Sequence, residues 1–237
     1  MSSAIASNGG VSSLAPPEIW RLCLAWLSRS TEVIAQSAAG LDAINVFPVP
    51  DSDTGTNLQQ TLTGITTYLD GDVAEDEWAE AQEDLSPADV VVRAAVLSAH
   101  GNSGAIVAEM IISLSRALER SGLIVPVKPE RGLAEVLKLV ALAGRRAVAR
   151  PVAGTILTVA AAAAAAAEEA VATGAADRLA EDPQSGISRV LAVARVARDA
   201  AAEALAQTPL ELSRLAEAGV VDAGAQAYVL LLDVLVE

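Results

Sequence analysis

Asn45-Val-Phe-Pro-Val-Pro-Asp-Ser-Asp-Thr-Gly-Thr-Asn57 is the stretch around which the rest of the chain is read. Its two prolines fix the local backbone and push the residues before them, Phe47 and Val49, toward extended conformation. Asp51 and Asp53 follow one residue apart. In an extended chain, side chains at that spacing point to one side, so both carboxylates can face a single spot. Thr54-Gly55-Thr56-Asn57 then offers a turn residue and helix N-caps ahead of the more regular Leu58–Leu69 segment. Short paired carboxylates suit magnesium, which binds through one or two carboxylates plus substrate phosphates. A helix start just beyond them presents backbone N–H groups to anionic oxygens. The stretch reads as a site for a metal-bound phosphate compound.

Taken alone, Asp-x-Asp beside Gly and Thr is also ordinary turn and cap chemistry. A calcium loop of the EF-hand type fails. Counted from Asp51, the glycine comes one position early, and Leu62 stands where the bidentate acid belongs.

Composition narrows the classes. A chain of 237 residues forms one large domain or two small ones and can bury a real core. At 52% hydrophobic but only 3% aromatic, it favours close-packed helices over a β-sandwich. The formal charge of -14 argues against nucleic acid and anionic membranes as partners. It also repels a polyphosphate unless cations intervene, so metal and nucleotide should bind together. The single cysteine, Cys23, rules out an intramolecular disulfide framework and reads as a core thiol. Residues 1–15 lack the basic start and apolar run of a secretory signal and read as a disordered tail; 16–237 read as one domain. Pro151–Ala167 is uncharged but alanine-dominated, which suits a helix in a cytoplasmic protein better than a membrane span.

Read in order, the chain gives about eight helices and no strand, an all-α antiparallel barrel or bundle. Pro16 and Pro17 open the first, which carries Trp20, Trp26, Val33 and Ile34 up to Gly40. An acid-rich connector spans Asp70–Asp89, with Trp78 positioned to pin it. Pro87 starts a helix to about Ala99. A second runs from Gly101-Asn-Ser-Gly104 with a stripe of Ile106, Val107, Met110, Ile111 and Leu114. Gly122 to Pro129 breaks the chain before the next amphipathic segment. Thr155 caps a long alanine helix ending near Gly174. Ile187–Ala206, a short helix from Thr208-Pro209 to Ala218, and Tyr228–Val236 complete the set. Four helix-opening turns recur, each with Gly and small polar residues, and a shared rim of such turns can cradle a phosphate chain. For any one turn, a simple helix cap is the alternative.

Asn45–Asn57, Gly101–Gly104, Ala149-Arg-Pro-Val-Ala-Gly-Thr-Ile-Leu157 and Gly219-Val-Val-Asp-Ala-Gly224 stand in the order found in one family. The chain resembles the nucleotide-binding domain shared by the L subunit of dihydroxyacetone kinases and by bacterial fatty acid kinases. The Asn-Val-Phe-Pro-Val-Pro-Asp form is similar to the fatty acid kinase branch. The resemblance implies a barrel of about eight helices that holds ATP and two Mg2+ ions at one end. It implies metal binding and catalysis by Asp51 and Asp53, and phosphate contacts from Thr54, Gly55, Thr56 and Asn57, with Ser103 and Gly104 on a second turn. It places Gly154, Thr155 and Ile156 near the nucleotide, with Asp222 and Gly224 closing the pocket. The dihydroxyacetone kinases use a third metal-binding Asp before the pair; here the earlier acid is Asp42, at a wider spacing, with Asn45 as the alternative.

This sequence departs from the family pattern at Ser52, where glycine is usual, and at His100, where arginine is common. His100, as the only histidine, invites a catalytic role against a capping or surface one. Ala225 and Ala227 replace glycines, which would narrow the approach to the nucleotide. The implied reaction is phosphoryl transfer from ATP to a fatty acid held by a separate fatty-acid-binding protein, giving an acyl phosphate. Glycerone phosphorylation of the dihydroxyacetone kinase type, a non-catalytic ATP-binding regulatory module, and a purely structural bundle are the alternatives. A homodimer stays open.

Overall fold

The structure, a computed structural model, describes residues 16–71, 86–121 and 128–237. Within them the chain forms ten helices and no strand: α1 (Pro16–Ala43), α2 (Thr54–Leu69), α3 (Pro87–Ser98), α4 (Gly101–Ser121), α5 (Pro129–Ala147), α6 (Ile156–Ala172), α7 (Ala175–Leu179), α8 (Gly186–Glu211), α9 (Ser213–Ala218) and α10 (Ala223–Val236). The expected N-terminal tail, the acid-rich connector with Trp78 and the break after Gly122 lie outside the described residues.

The helices close into a ring. α1 packs on α2, α2 on α4, α4 on α5, α5 on α6, α6 on α10, and α10 back on α1. α3 covers the α2–α4 side and α8 covers α5, α6 and α10. Val159, Ala160, Ala163 and Ala167 of α6 and Ala225 and Ala227 of α10 are fully buried. Alanine favours helix most strongly and adds little bulk, so these backbones approach closely at little conformational cost. Among the described residues no helix is long and apolar enough to cross a membrane.

Glycine does the same work at two crossings. A side chain on Gly55 would collide with the Ala38 backbone of α1, and one on Gly104 with the Thr61 hydroxyl of α2. Gly55 is thus a buried helical residue, rather than the turn residue its neighbours suggest. Trp20 and Trp26 pack against the core, and the Trp26 indole donates to the Leu231 carbonyl at 3.0 Å. Cys23 is half-buried, and burial pushes its thiol up to about 11, consistent with an inert packing residue.

Several helix boundaries differ from the sequence expectation: α2 begins at Thr54 rather than Leu58, and α10 at Ala223 rather than Tyr228. α1 runs through Gly40 to Ala43, and the short α7 follows the alanine helix as an extra element. α8 continues through Pro209 to Glu211, where a new helix was expected to begin. Proline lacks the N–H that would reach the Leu205 carbonyl. The Thr208 hydroxyl donates to that carbonyl instead, at 2.8 Å, and accepts from the Asp222 amide at 3.2 Å. The helix therefore survives its proline.

Replacing Thr208 with valine keeps the volume and removes both bonds. Thr208→Val is expected to lower stability by about 2 kcal/mol, read as a melting temperature lower by roughly 4–8 °C.

Candidate functional site

The loop between α1 and α2 is held from three sides. Asn45 is buried; its amide nitrogen Nδ2 donates to Asp51 Oδ1 at 2.8 Å, while its Oδ1 has no hydrogen-bond partner. The Phe47–Pro48 peptide is cis, and the Pro48 carbonyl accepts from Arg214 Nη1 at 2.8 Å. Ser52 sits in the left-handed region at φ 54°. A turn therefore sets the relation of Asp51 to Asp53, in place of the extended alternation read from the spacing. The residue between the acids is strained where glycine would be relaxed.

Asp53 occupies the N-cap position of α2, yet its side chain makes no cap bond. Asp42, on the last turn of α1, does that work. Its Oδ1 accepts from the amides of Gly55 and Thr56 at 2.6 and 3.0 Å, and its Oδ2 from the Thr56 hydroxyl at 2.7 Å. The residue considered as a third metal ligand thus spends its carboxylate on the helix start. The amides of Gly55 and Thr56, expected to face phosphate, are already engaged. What stays uncommitted is the Asp53 carboxylate, together with the outer oxygen of Asp51.

The second turn meets the first through the hydroxyls of Thr54 and Ser103, 3.3 Å apart. Asn57 lies against Gly101, and Gly104 fits over Thr61, so these two join helices. His100 is exposed, its ring nitrogen Nδ1 lies 2.7 Å from the Ser98 carbonyl and its amide donates to Thr61 Oγ1 at 3.0 Å, which is the capping and surface role.

The third and fourth turns share one carboxylate. Asp222 is 6% exposed and N-caps α10, accepting from Ala225 N at 2.7 Å; the same Oδ1 accepts from Ile156 N, the first amide of α6, at 3.1 Å. Burial raises its pKa from 3.8 to about 6, against the lowering effect of the two amides. Thr155 caps α6 as expected, accepting from Leu157 N at 3.4 Å. Gly154, at φ +75°, turns the chain and donates to Thr158 Oγ1 at 3.0 Å.

All four turns open onto one cavity of about 340 Å³. Pro48 and Thr54 come from the first, Ser103 from the second, Ile156 from the third and Gly224 from the fourth. Thr155 and Asp222 also line it, whereas Asp51, Asp53, Gly55, Thr56, Asn57, Gly104 and Gly154 do not. Ala225 and Ala227 are fully buried and do not line it, so they do not narrow the approach. The lining also includes Arg150, which sequence reasoning left unassigned. Its signal was a basic residue inside the third motif of an acidic chain.

Magnesium can be tested against the donors present. Among the described residues no three acids, histidines or cysteines sit close enough to hold a metal on their own. Asp51 and Asp53, with the unpartnered Asn45 carbonyl on the side chain that bonds Asp51, supply oxygen donors of the kind magnesium takes, with the remaining positions left to phosphate and water. The residues fit an ion that arrives with its nucleotide.

The DAK2 domain family matches the chain over residues 48–237. Protein YloV of Bacillus subtilis is 31% identical over 191 residues, 81% of this chain and 30% of that protein. Uncharacterized protein SSP1546 of Staphylococcus saprophyticus is 30% identical over 207 residues, 84% of this chain and 33% of that protein. An uncharacterized protein of Staphylococcus epidermidis is 30% identical over 198 residues, 83% of this chain and 31% of that protein. The chain spans about a third of the length of these relatives.

Ser52→Gly should relieve the left-handed strain and raise stability by about 1 kcal/mol, measured by denaturant unfolding. For Asp222, a raised folded pKa means that its contribution is full below 3.8 and is lost as pH rises through about 6. Relative to Asp222→Asn, which keeps an acceptor and cannot ionise, the wild type should lose roughly 2 kcal/mol between pH 4 and pH 7.

Proposed function

This chain belongs to the DAK2 domain family, a dihydroxyacetone-kinase-like family associated with kinase function, and from that premise we propose that it is a magnesium-dependent ATP-binding phosphotransferase domain. The observation that carries this reading is the meeting of four helix starts at one cavity, with two acids one and three residues before cavity-lining Thr54.

Each helix N-terminus carries partial positive charge. Asp42 already serves α2, and Asp222 serves α6 and α10. Among the described residues no carboxylate caps α4, whose Asn102 and Ser103 line the cavity. The Ser103 and Thr54 hydroxyls, with the opening amides of α4, would grip phosphate oxygens. Asp51 and Asp53, with the Asn45 carbonyl, would hold the magnesium ions. Bound magnesium neutralises the charge that develops on the phosphate oxygens during transfer. The protein's own task is then positioning, so the lack of a nucleophile–base pair is no obstacle.

The acceptor in this reading is the carboxylate of a fatty acid presented by a separate lipid-binding protein. Its oxygen bonds to the γ-phosphorus as ADP leaves, giving an acyl phosphate. The Asn45-Val-Phe-Pro-Val-Pro-Asp51 form supports the fatty acid branch over glycerone phosphorylation. A cavity of about 340 Å³ has room for a nucleoside but not for a long acyl chain beside it, which supports an acceptor held outside.

Mg-ATP at about a hundred times its dissociation constant should add roughly 2.7 kcal/mol of stability, a melting shift of about 5–11 °C. The shift should need magnesium and vanish in Asp51→Ala and Asp53→Ala. No shift under any metal condition would return the chain to a structural bundle. Transfer of labelled phosphate with and without a fatty-acid-loaded carrier then separates a kinase from an ATP-binding module.

A further inference from the structure

The cavity wall carries two charged residues, and they differ in depth. Asp222 is 6% exposed, with one oxygen fixed by the amides of α6 and α10, whereas Arg150 is exposed. At neutral pH the wall is therefore negative at its buried end and positive at its open end. Arg150 is also unpaired: it makes no ion pair or hydrogen bond among the described residues. Other exposed basic residues divide: Arg29, Arg116, Lys138 and Arg195 have a carboxylate partner, whereas Arg21, Arg93, Arg145 and Arg146 have none among the described residues. What distinguishes Arg150 is its place, since it is the one basic residue among those that line the cavity. Helix-end electrostatics do not explain that place. Arg145 and Arg146 lie in the last turn of α5, where cations are favoured, but Arg150 lies beyond the end of that helix at Ala147.

We propose that Arg150 grips the terminal phosphate of a bound nucleoside triphosphate and so turns the transferable group toward the open side of the cavity. The proposal rests on the nucleotide reading of the cavity. A polyphosphate is repelled by the Asp222 end and drawn to the Arg150 end, so the neutral nucleoside lies inward. Any acceptor carried by another protein must approach from the open side, which is the side Arg150 occupies. A guanidinium suits the task, because its planar fork meets two phosphate oxygens at once and keeps its charge at every physiological pH.

The test is calorimetric titration, with magnesium, of a non-hydrolysable ATP analogue and of ADP into wild type, Arg150→Gln and Arg150→Lys. Arg150→Gln should weaken the triphosphate about 10- to 100-fold, the worth of a charge-assisted hydrogen bond, and ADP by no more than about twofold. Arg150→Lys should fall between, keeping the charge without the fork. Ligand-free melting should not change, because the side chain has no partner among the described residues. Equal losses for both nucleotides, or none for either, would overturn the proposal while leaving nucleotide binding intact. Failure of the wild type to bind either nucleotide would remove the nucleotide reading and this proposal together.

Discussion

Four helix N-termini that border one cavity repel one another, and the fold depends on how that repulsion is met. The starts of α2, α4, α6 and α10 all reach the same cavity. Each carries unsatisfied N–H groups and the positive end of a helix dipole. Two carboxylates relieve three of them. Asp42 reaches from the end of α1 to the start of α2, and Asp222 joins the starts of α6 and α10. The fourth, α4, has no carboxylate cap among the described residues, and its Asn102 and Ser103 line the cavity.

The cost of this arrangement is visible at Asp222. Holding a carboxylate at 6% exposure raises its pKa to about 6, because two amides only partly replace the water it loses. Its amide in turn donates to Thr208, the residue that carries α8 across Pro209. One buried carboxylate thus couples a helix cap, a second helix start and a proline-containing helix end.

Charge balance connects the site to the rest of the chain. With a formal charge of -14, the protein repels a polyanion unless positive charge is placed locally. Helix starts and Arg150, which is unpaired among the described residues, line one cavity, and the oxygen-bearing side chains of Asn45, Asp51 and Asp53 lie in the loop that leads into its Thr54. Among the described residues those donors do not make a complete metal cage.

The all-helical class and most helix starts were legible in the sequence, because proline, glycine and three-and-four apolar spacing act through local backbone geometry. The four motifs were legible too, as punctuated turns in a fixed order. Their convergence on one cavity was not, since it depends on how the ring of helices closes. Gly55 and Gly104 read as turn or phosphate residues, but the neighbouring Ala38 backbone and Thr61 hydroxyl explain why a side chain is excluded. Pro209 read as a helix start, and only the Thr208 hydroxyl explains its place inside α8. Asp42 caps a helix thirteen residues further on, across a loop whose path no local rule fixes. The sequence by itself determined which segments are helices and which residues could bind an anion or a cation. The tertiary structure decided which of those groups are already spent on one another, because hydrogen bonds between distant segments exist only once the helices have packed.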